Sequence, residues 1–78
     1  MAIKVNIEIY GALMKPKGQD KFEYETENTV ISEVLTELKY RKEHVKYIIA
    51  SINGQTVQHD EMLNDGDLLR LTTLVGGG

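Results

Sequence analysis

Apolar and polar residues alternate along the beginning of the chain. Over residues 3–10 the odd positions are aliphatic and the even positions are mostly polar, which predicts a strand with one buried face. Residues 11–20 contain Pro16 and Gly18, and they predict a turn region. Alternation resumes over residues 21–25, with Phe22 and Tyr24 on the inward side. We expect the two strands to form an antiparallel hairpin.

The spacing of apolar residues changes to a helical period in the next segment. One apolar stripe is formed by Val30, Ile31, Val34, Leu35 and Leu38. Asn28 or Thr29 is expected to supply an N-cap oxygen to the open N–H groups of the first turn. The helix is expected to end between residues 39 and 42.

Shorter apolar runs fill the last third of the chain. Residues 47–52 predict a strand that ends at Asn53-Gly54, a dipeptide typical of tight turns. A short strand through Val57 and a loop over residues 60–67 follow. Residues 68–74 predict the last strand, after which the chain reads Gly76-Gly77-Gly78.

The order of these elements is strand, strand, helix, strand, short strand, strand. One apolar helix stripe and one apolar sheet face bury each other best when the helix packs across a mixed sheet. With the first and last strands adjacent in the centre, this is the α+β arrangement called the β-grasp, the fold of ubiquitin. We expect residues 1–75 to form this single domain and residues 76–78 to form a flexible tail.

Composition narrows the range of functions. A chain of 78 residues has a thin core and little room for an enclosed catalytic cleft. There is no cysteine, the net charge is −3, and the two histidines, His44 and His59, lack metal-ligand spacing. We therefore expect no metal site, no nucleic-acid partner, no membrane segment and no signal peptide, and we expect a cytoplasmic protein.

The glycines at the end of the chain are the candidate reactive site. Glycine loses the most backbone entropy on ordering and has no side chain to pack, so three glycines serve no structural purpose. A segment without side chains can enter a narrow channel of a partner and present its terminal carboxylate there. A frayed tail without function is the alternative explanation.

Four short segments carry a resemblance to a known family. They are IEIYGAL at residues 7–13, TV at 29–30 with the apolar helix residues after it, ING at 52–54, and NDGD at 64–67 before the last strand and Gly-Gly. Their order and spacing resemble the MoaD/ThiS family, the small sulfur carriers of molybdopterin and thiazole biosynthesis. Thr72-Thr73 stands where the molybdopterin branch often has Pro-Pro, whereas the loop over residues 14–20 is longer than the thiazole branch usually shows.

The resemblance implies a mechanism and its partners. An E1-like enzyme would adenylate the Gly78 carboxylate with Mg-ATP, and a sulfur donor of the cysteine desulfurase or rhodanese type would displace AMP. The thiocarboxylate formed at Gly77-Gly78 would then deliver sulfur inside an acceptor synthase. The chain itself would bind no cofactor and would act as a carrier and co-substrate, at most a non-catalytic small subunit. The acceptor pathways it implies are molybdopterin or tungstopterin synthesis, thiazole synthesis and tRNA thiolation.

A second candidate site is the sheet face that points away from the helix. Alternation along the last strand places Leu69 and Leu71 in the core and the residues between them on the opposite face. A docking patch next to the reactive end is the hypothesis, and scattered surface residues are the alternative. The predicted patch consists of Leu68, Arg70, Thr72 and Leu74, extended by Tyr47 and Ile49. Arg70 is a candidate partner for an acidic residue of the docked protein.

Two other functions fit the same pattern. A ubiquitin-like modifier would be joined to lysines of target proteins through the same Gly-Gly, after the same adenylation step. A plain β-grasp interaction module would need no free carboxylate, so residues added after Gly78 would not affect it. A small enzyme is the least supported, because no nucleophile and base pair is apparent in the sequence.

Overall fold

A five-stranded mixed sheet organises the chain. The computed structural model describes residues 2–11 and 18–73. The elements in chain order are β1 (Ile3–Ile9), β2 (Lys21–Thr26), α1 (Ile31–Glu37), α2 (Lys42–Val45), β3 (Ile48–Ile52), β4 (Gln55–Val57) and β5 (Leu68–Thr73). The strand order is β2-β1-β5-β3-β4, with β1 and β5 parallel and the other neighbours antiparallel. This is the ubiquitin-like β-grasp fold, as predicted, with β1 and β5 side by side. The predicted boundary at residue 75 and the tail lie outside the described residues.

The core lies between one face of the sheet and α1. Alternation along β1 buries its odd-numbered residues, and the apolar stripe of α1 packs against them. Burial of one face of each element is therefore the cause of both periodicities. The buried apolar residues are Val5, Ile7, Ile9, Ile31, Val34, Leu35, Leu38, Tyr40, Ile48, Ala50, Leu63, Leu69 and Leu71. Phe22 and Tyr24 of β2 are partly buried and pack against this cluster.

The start of α1 differs from the prediction. The N-cap position is Val30, and no side chain caps the helix, so the assignment of Asn28 or Thr29 as the cap was wrong. The open N–H groups of Ile31 and Ser32 instead donate to the backbone carbonyls of Glu61 and His59, at 3.2 and 2.9 Å. Backbone carbonyls of the segment before β5 therefore take the place of a capping side chain.

The end of α1 is closed by a backbone motif. Lys39 has a positive φ of 72°. The Lys39 N–H donates to the Thr36 carbonyl at 3.0 Å, and the Tyr40 N–H donates to the Leu35 carbonyl at 3.2 Å. This pair of hydrogen bonds is the Schellman motif, which satisfies carbonyls that the last turn leaves open. The short helix α2 that follows was not predicted, and β3 begins at Ile48 rather than at residue 47.

The side chain of Glu37 joins the end of α1 to β2. Its Oε1 accepts hydrogen bonds from the Tyr24 hydroxyl at 2.9 Å and the Thr26 hydroxyl at 2.8 Å, and its Oε2 accepts one from the Asn28 side-chain amide. The hydrogen bonds from Thr26, Tyr24 and Asn28 lower the pKa of Glu37. Burial and the hydrogen bond to Glu37 raise the pKa of Tyr24 to about 12. We call Glu37, Tyr24, Thr26 and Asn28 the Glu37 cluster.

Two turns depend on backbone conformations that few residues adopt. Asn53 and Gly54 both have positive φ, 52° and 88°, and they join β3 to β4 as the dipeptide predicted. Gly11, with φ of 76°, lies at the end of β1 beside the end of β5. A Cβ at Gly11 would lie 3.4 Å from the Thr73 Oγ1, so this turn runs closely past the last described residue of β5.

Candidate functional site

The face of the sheet opposite the core carries most of the predicted docking residues. Leu68, Arg70 and Thr72 alternate along β5 with the fully buried Leu69 and Leu71, so all three point away from α1. The pairing of β3 with β5 sets Ile49 opposite Thr72, on the same face. We call this surface of β1, β2, β5 and β3 the outer face. The structure thus brings together four of the six predicted docking residues.

The apolar character of the outer face is weaker than the sequence indicated. Leu68, Thr72 and Ile49 are half-buried rather than exposed. Tyr47 is 50% exposed and lies in the turn before β3, with the Lys46 Nζ 5.3 Å from its ring centroid. Leu74, Gly77 and Gly78 lie outside the described residues. A partner that docks on this face therefore meets half-buried aliphatic groups around more exposed polar ones.

Arg70 is the exposed centre of the outer face, and two residues that the sequence analysis missed surround it. Register places Glu8 of β1 directly beside Arg70, and the Arg70 Nε lies 3.3 Å from the Glu8 Oε1. The Tyr10 hydroxyl donates to the same Oε1 at 2.6 Å, and the Tyr10 ring centroid lies 5.6 Å from the guanidinium carbon. The strict alternation of β1 already placed Glu8 and Tyr10 on the polar face, but only the strand register joins them to Arg70.

The charges of Glu8, Arg70 and Lys21 stabilise one another. The hydrogen bond from Tyr10, together with the charges of Arg70 and Lys21, lowers the pKa of Glu8. The same hydrogen bond raises the pKa of Tyr10. Glu8 is therefore a carboxylate and Tyr10 a neutral phenol at neutral pH, so the group keeps one negative charge between two cations.

A shallow depression adjoins this group on the outer face. Its volume is about 410 Å³. It is lined by Asn6, Ile7, Glu8, Lys21, Phe22, Glu23 and Leu68. Its lining joins charged side chains of β1 and β2 to the apolar Leu68 of β5.

The two histidines are placed differently. His44 is exposed on α2, whereas His59 is half-buried and its Nε2 lies 2.7 Å from the Ile48 carbonyl oxygen. His59 thus ties the segment before β5 to the start of β3. Among residues 2–11 and 18–73, no three His, Cys, Asp or Glu side chains are grouped as metal ligands. Within the same residues, no helix has both the length and the apolar character to cross a membrane.

Comparison with known proteins adds the family context. The family model described as the ThiS family matches residues 7–78. No curated protein matches the chain. The match to the ThiS family confirms the resemblance seen in the sequence.

Three solved structures illustrate the likeness in fold. Molybdopterin converting factor subunit 1 from Pyrococcus furiosus is 25% identical, with a TM-score of 0.70 over 91% of this chain and 97% of that one. One chain of a Helicobacter pylori complex of subunits 1 and 2 of molybdopterin-converting factor is 20% identical. Its TM-score is 0.66 over 97% of this chain and 100% of that one. A Caldiarchaeum subterraneum ubiquitin is 22% identical, with a TM-score of 0.57 over 100% of both chains.

Proposed function

Because the chain belongs to the ThiS family, we propose that it is a sulfur carrier whose Gly78 carboxylate is adenylated and then converted to a thiocarboxylate. The observation that carries the proposal is the family match through Gly78, in a chain whose central strand β5 ends at Thr73, with only Leu74 and Val75 between it and the glycines in sequence. The strand gives the reactive end a rigid base, and the glycines give it a cross-section small enough for a partner's channel.

The proposed chemistry belongs to the end of the chain and to its partners. A carboxylate oxygen of Gly78 attacks the α-phosphorus of Mg-ATP in an E1-like enzyme and releases pyrophosphate. A persulfide of the sulfur donor, a cysteine desulfurase or rhodanese type, attacks the acyl carbon, and AMP leaves. A thiol then cleaves the sulfur–sulfur bond by thiol–disulfide exchange and leaves the thiocarboxylate on Gly78. No side chain of this chain acts as acid, base or nucleophile, so the protein is a co-substrate.

The fold supports a role in which the chain is held by larger proteins. Gly77 and Gly78 enter the partner, while Leu68, Arg70, Thr72, Leu74, Tyr47 and Ile49 form the docking surface. The Helicobacter pylori relative was solved as a complex of two subunits. By analogy, we propose that an acceptor synthase receives the thiocarboxylated chain, in molybdopterin, tungstopterin or thiamine thiazole synthesis.

Intact mass of the untagged protein tests this function. The protein is purified from its own cells with and without its E1-like enzyme. Exchange of one oxygen for one sulfur at Gly78, dependent on that enzyme, is the expected result. A serine added after Gly78 should abolish the exchange, because the new terminus no longer fits the site of activation. A serine added before Met1 is the matched control and should leave the exchange unchanged.

Two results would contradict the proposal. An isopeptide-linked ladder of cellular proteins without any thiocarboxylate would assign the chain to the ubiquitin-like modifiers. An unmodified terminus in both preparations, with no adenylate formed when ATP is supplied, would leave a plain interaction module.

A further inference from the structure

We infer that Arg70 is a preorganised receptor for a carboxylate side chain of the activating enzyme. The inference rests on the proposed function and adds the chemistry of its first recognition step. The activating enzyme is the partner that both possible fates of the carboxylate, transfer of sulfur and conjugation, require.

The side chains of Arg70 and Glu8 differ in exposure. The side chain of Arg70 is 44% exposed, whereas that of Glu8 is 18% exposed. The anion of the pair is therefore largely covered, and the cation is open to a partner. An approaching protein meets the guanidinium before it meets the carboxylate.

The three guanidinium nitrogens of Arg70 are used unequally. Glu8 engages only the Nε of Arg70. Within residues 2–11 and 18–73, no hydrogen bond engages either terminal nitrogen, Nη1 or Nη2. The planar fork of these two nitrogens matches the two oxygens of a carboxylate, which is the geometry of bidentate pairing. Arg70 can hold Glu8 through one nitrogen and a partner's carboxylate through the other two.

The guanidinium of Arg70 is already held in place. The hydrogen bond to Glu8 fixes the Nε, Tyr10 fixes Glu8, and the guanidinium lies beside the Tyr10 ring. A flexible arginine loses rotamer freedom when it binds, whereas a side chain that is restrained beforehand loses less. The network around Arg70 thus favours binding by preorganisation.

Charged residues lie on both sides of Arg70 and Glu8. Strand register aligns Lys21 of β2, Glu8 of β1 and Arg70 of β5 in one row across the outer face, and neutral Ser51 of β3 continues it. Glu23 and Asp20 are acidic neighbours of this row. The attraction for an anionic partner group therefore comes from the exposed guanidinium of Arg70 rather than from the net charge of the face.

The position of Arg70 suits an anchor for the reactive end. Gly78 follows Arg70 by eight positions, and eight extended residues span at most about 26–29 Å. The distance from the Gly78 carboxylate to an enzyme carboxylate bound by Arg70 is therefore limited to that span plus the reach of the arginine side chain. Since β5 is the central strand, such a contact would fix the direction in which the chain leaves the sheet.

Kinetics with the activating enzyme test the inference. ATP–pyrophosphate exchange is measured over a range of concentrations of wild-type chain and of the R70Q, R70K and K42Q variants. R70Q should raise the KM for the chain about tenfold or more, with kcat within about twofold, because the lost contact is equally strong before and during the reaction. R70K should stay several-fold above wild type, because an ammonium keeps the charge and loses the fork.

The matched control and the salt dependence separate a specific contact from net charge. K42Q makes the same change in charge at an exposed position on α2, away from the outer face, and should leave KM within about twofold. Raising the ionic strength should raise the KM of wild type more than that of R70Q. Thermal unfolding of each variant is measured alongside to show that the folds are equally stable.

The outcomes distinguish the inference from the proposed function. A wild-type chain that supports exchange together with an R70Q variant of unchanged KM overturns the receptor role alone. An equal loss in R70Q and K42Q also overturns it, because net charge then explains the effect. A wild-type chain that supports no exchange overturns the proposed function, and the inference falls with it.

Discussion

Replacing Glu37 with alanine tests how much the Glu37 cluster stabilises the fold. The change removes the acceptor for three side-chain hydrogen bonds and leaves the hydroxyl of Thr26, a residue only 5% exposed, without its acceptor. Hydrogen bonds to a charged group each contribute about 1.5–3 kcal/mol when they are sheltered. Glu37 itself is exposed, so water replaces part of this energy. Alanine also improves helix propensity slightly.

We expect E37A to lower the free energy of unfolding by about 2 kcal/mol. For a domain of this size, that loss corresponds to a decrease in Tm of about 8–16 °C, measured by circular dichroism or calorimetry. The proposed sulfur-carrier activity should be retained at low temperature. The cluster meets β1 at Ile3, which pairs with Thr26, whereas the proposed reactive glycines follow β5 in sequence, and β5 pairs with β1 up to Ile9.

The control for E37A is E33A. Glu33 lies on the exposed side of the same helix and makes no side-chain hydrogen bond to residues 2–11 or 18–73. Its removal should cost at most about 0.5 kcal/mol, since its favourable position in the first turn is screened by salt. A loss of less than about 0.5 kcal/mol in E37A, or equal losses in the two variants, would refute the role given to the cluster.

Two further predictions concern pH and backbone conformation. The pKa of Glu37 is lowered in the folded state from its ordinary 4.5. The contribution of its carboxylate to the free energy of unfolding is therefore complete above that value and is lost as pH falls through the folded pKa. Unfolding measured at decreasing pH should show the difference in stability between wild type and E37Q disappear, and a constant difference would contradict this. Gly11 and Gly18 both have positive φ. A Cβ at Gly11 would contact Thr72 and Thr73, whereas a Cβ at Gly18 would have nothing within 4 Å among residues 2–11 and 18–73. Urea unfolding should therefore show a loss of about 1–2 kcal/mol for G18A and a larger loss for G11A, and equal losses would contradict it.

The elements of the fold follow from local patterns because each pattern has a local cause. A strand with one buried face must alternate, and a helix on a core must repeat its apolar residues every three or four positions. Residues 3–10 and the stripe from Val30 to Leu38 showed these periods without interruption. The prediction was wrong at the start of α1, because capping there comes from carbonyls of residues distant in sequence.

The candidate site was only partly predictable for a related reason. Alternation along β5 was sufficient to place Leu68, Arg70 and Thr72 on the outer face. The partner of Arg70 is Glu8, 62 positions away in the chain, and the two meet only through the parallel register of β1 and β5. The local spacing of apolar residues does not encode the register between β1 and β5.

The sequence by itself determined the order and type of most elements, most of the core and the candidate reactive glycines, but it did not place Tyr40 or Leu63 in the core. Those properties depend on short-range periodicity and on residue chemistry, which the chain carries at every position. Tertiary structure alone decided that carbonyls of Glu61 and His59 would cap the start of α1, that Glu37 would accept from three donors, and that Lys21, Glu8 and Arg70 would form one row. Each of these arrangements depends on strand pairing or helix packing between distant segments, and the energy that selects a pairing is shared by the whole core rather than encoded at any one residue.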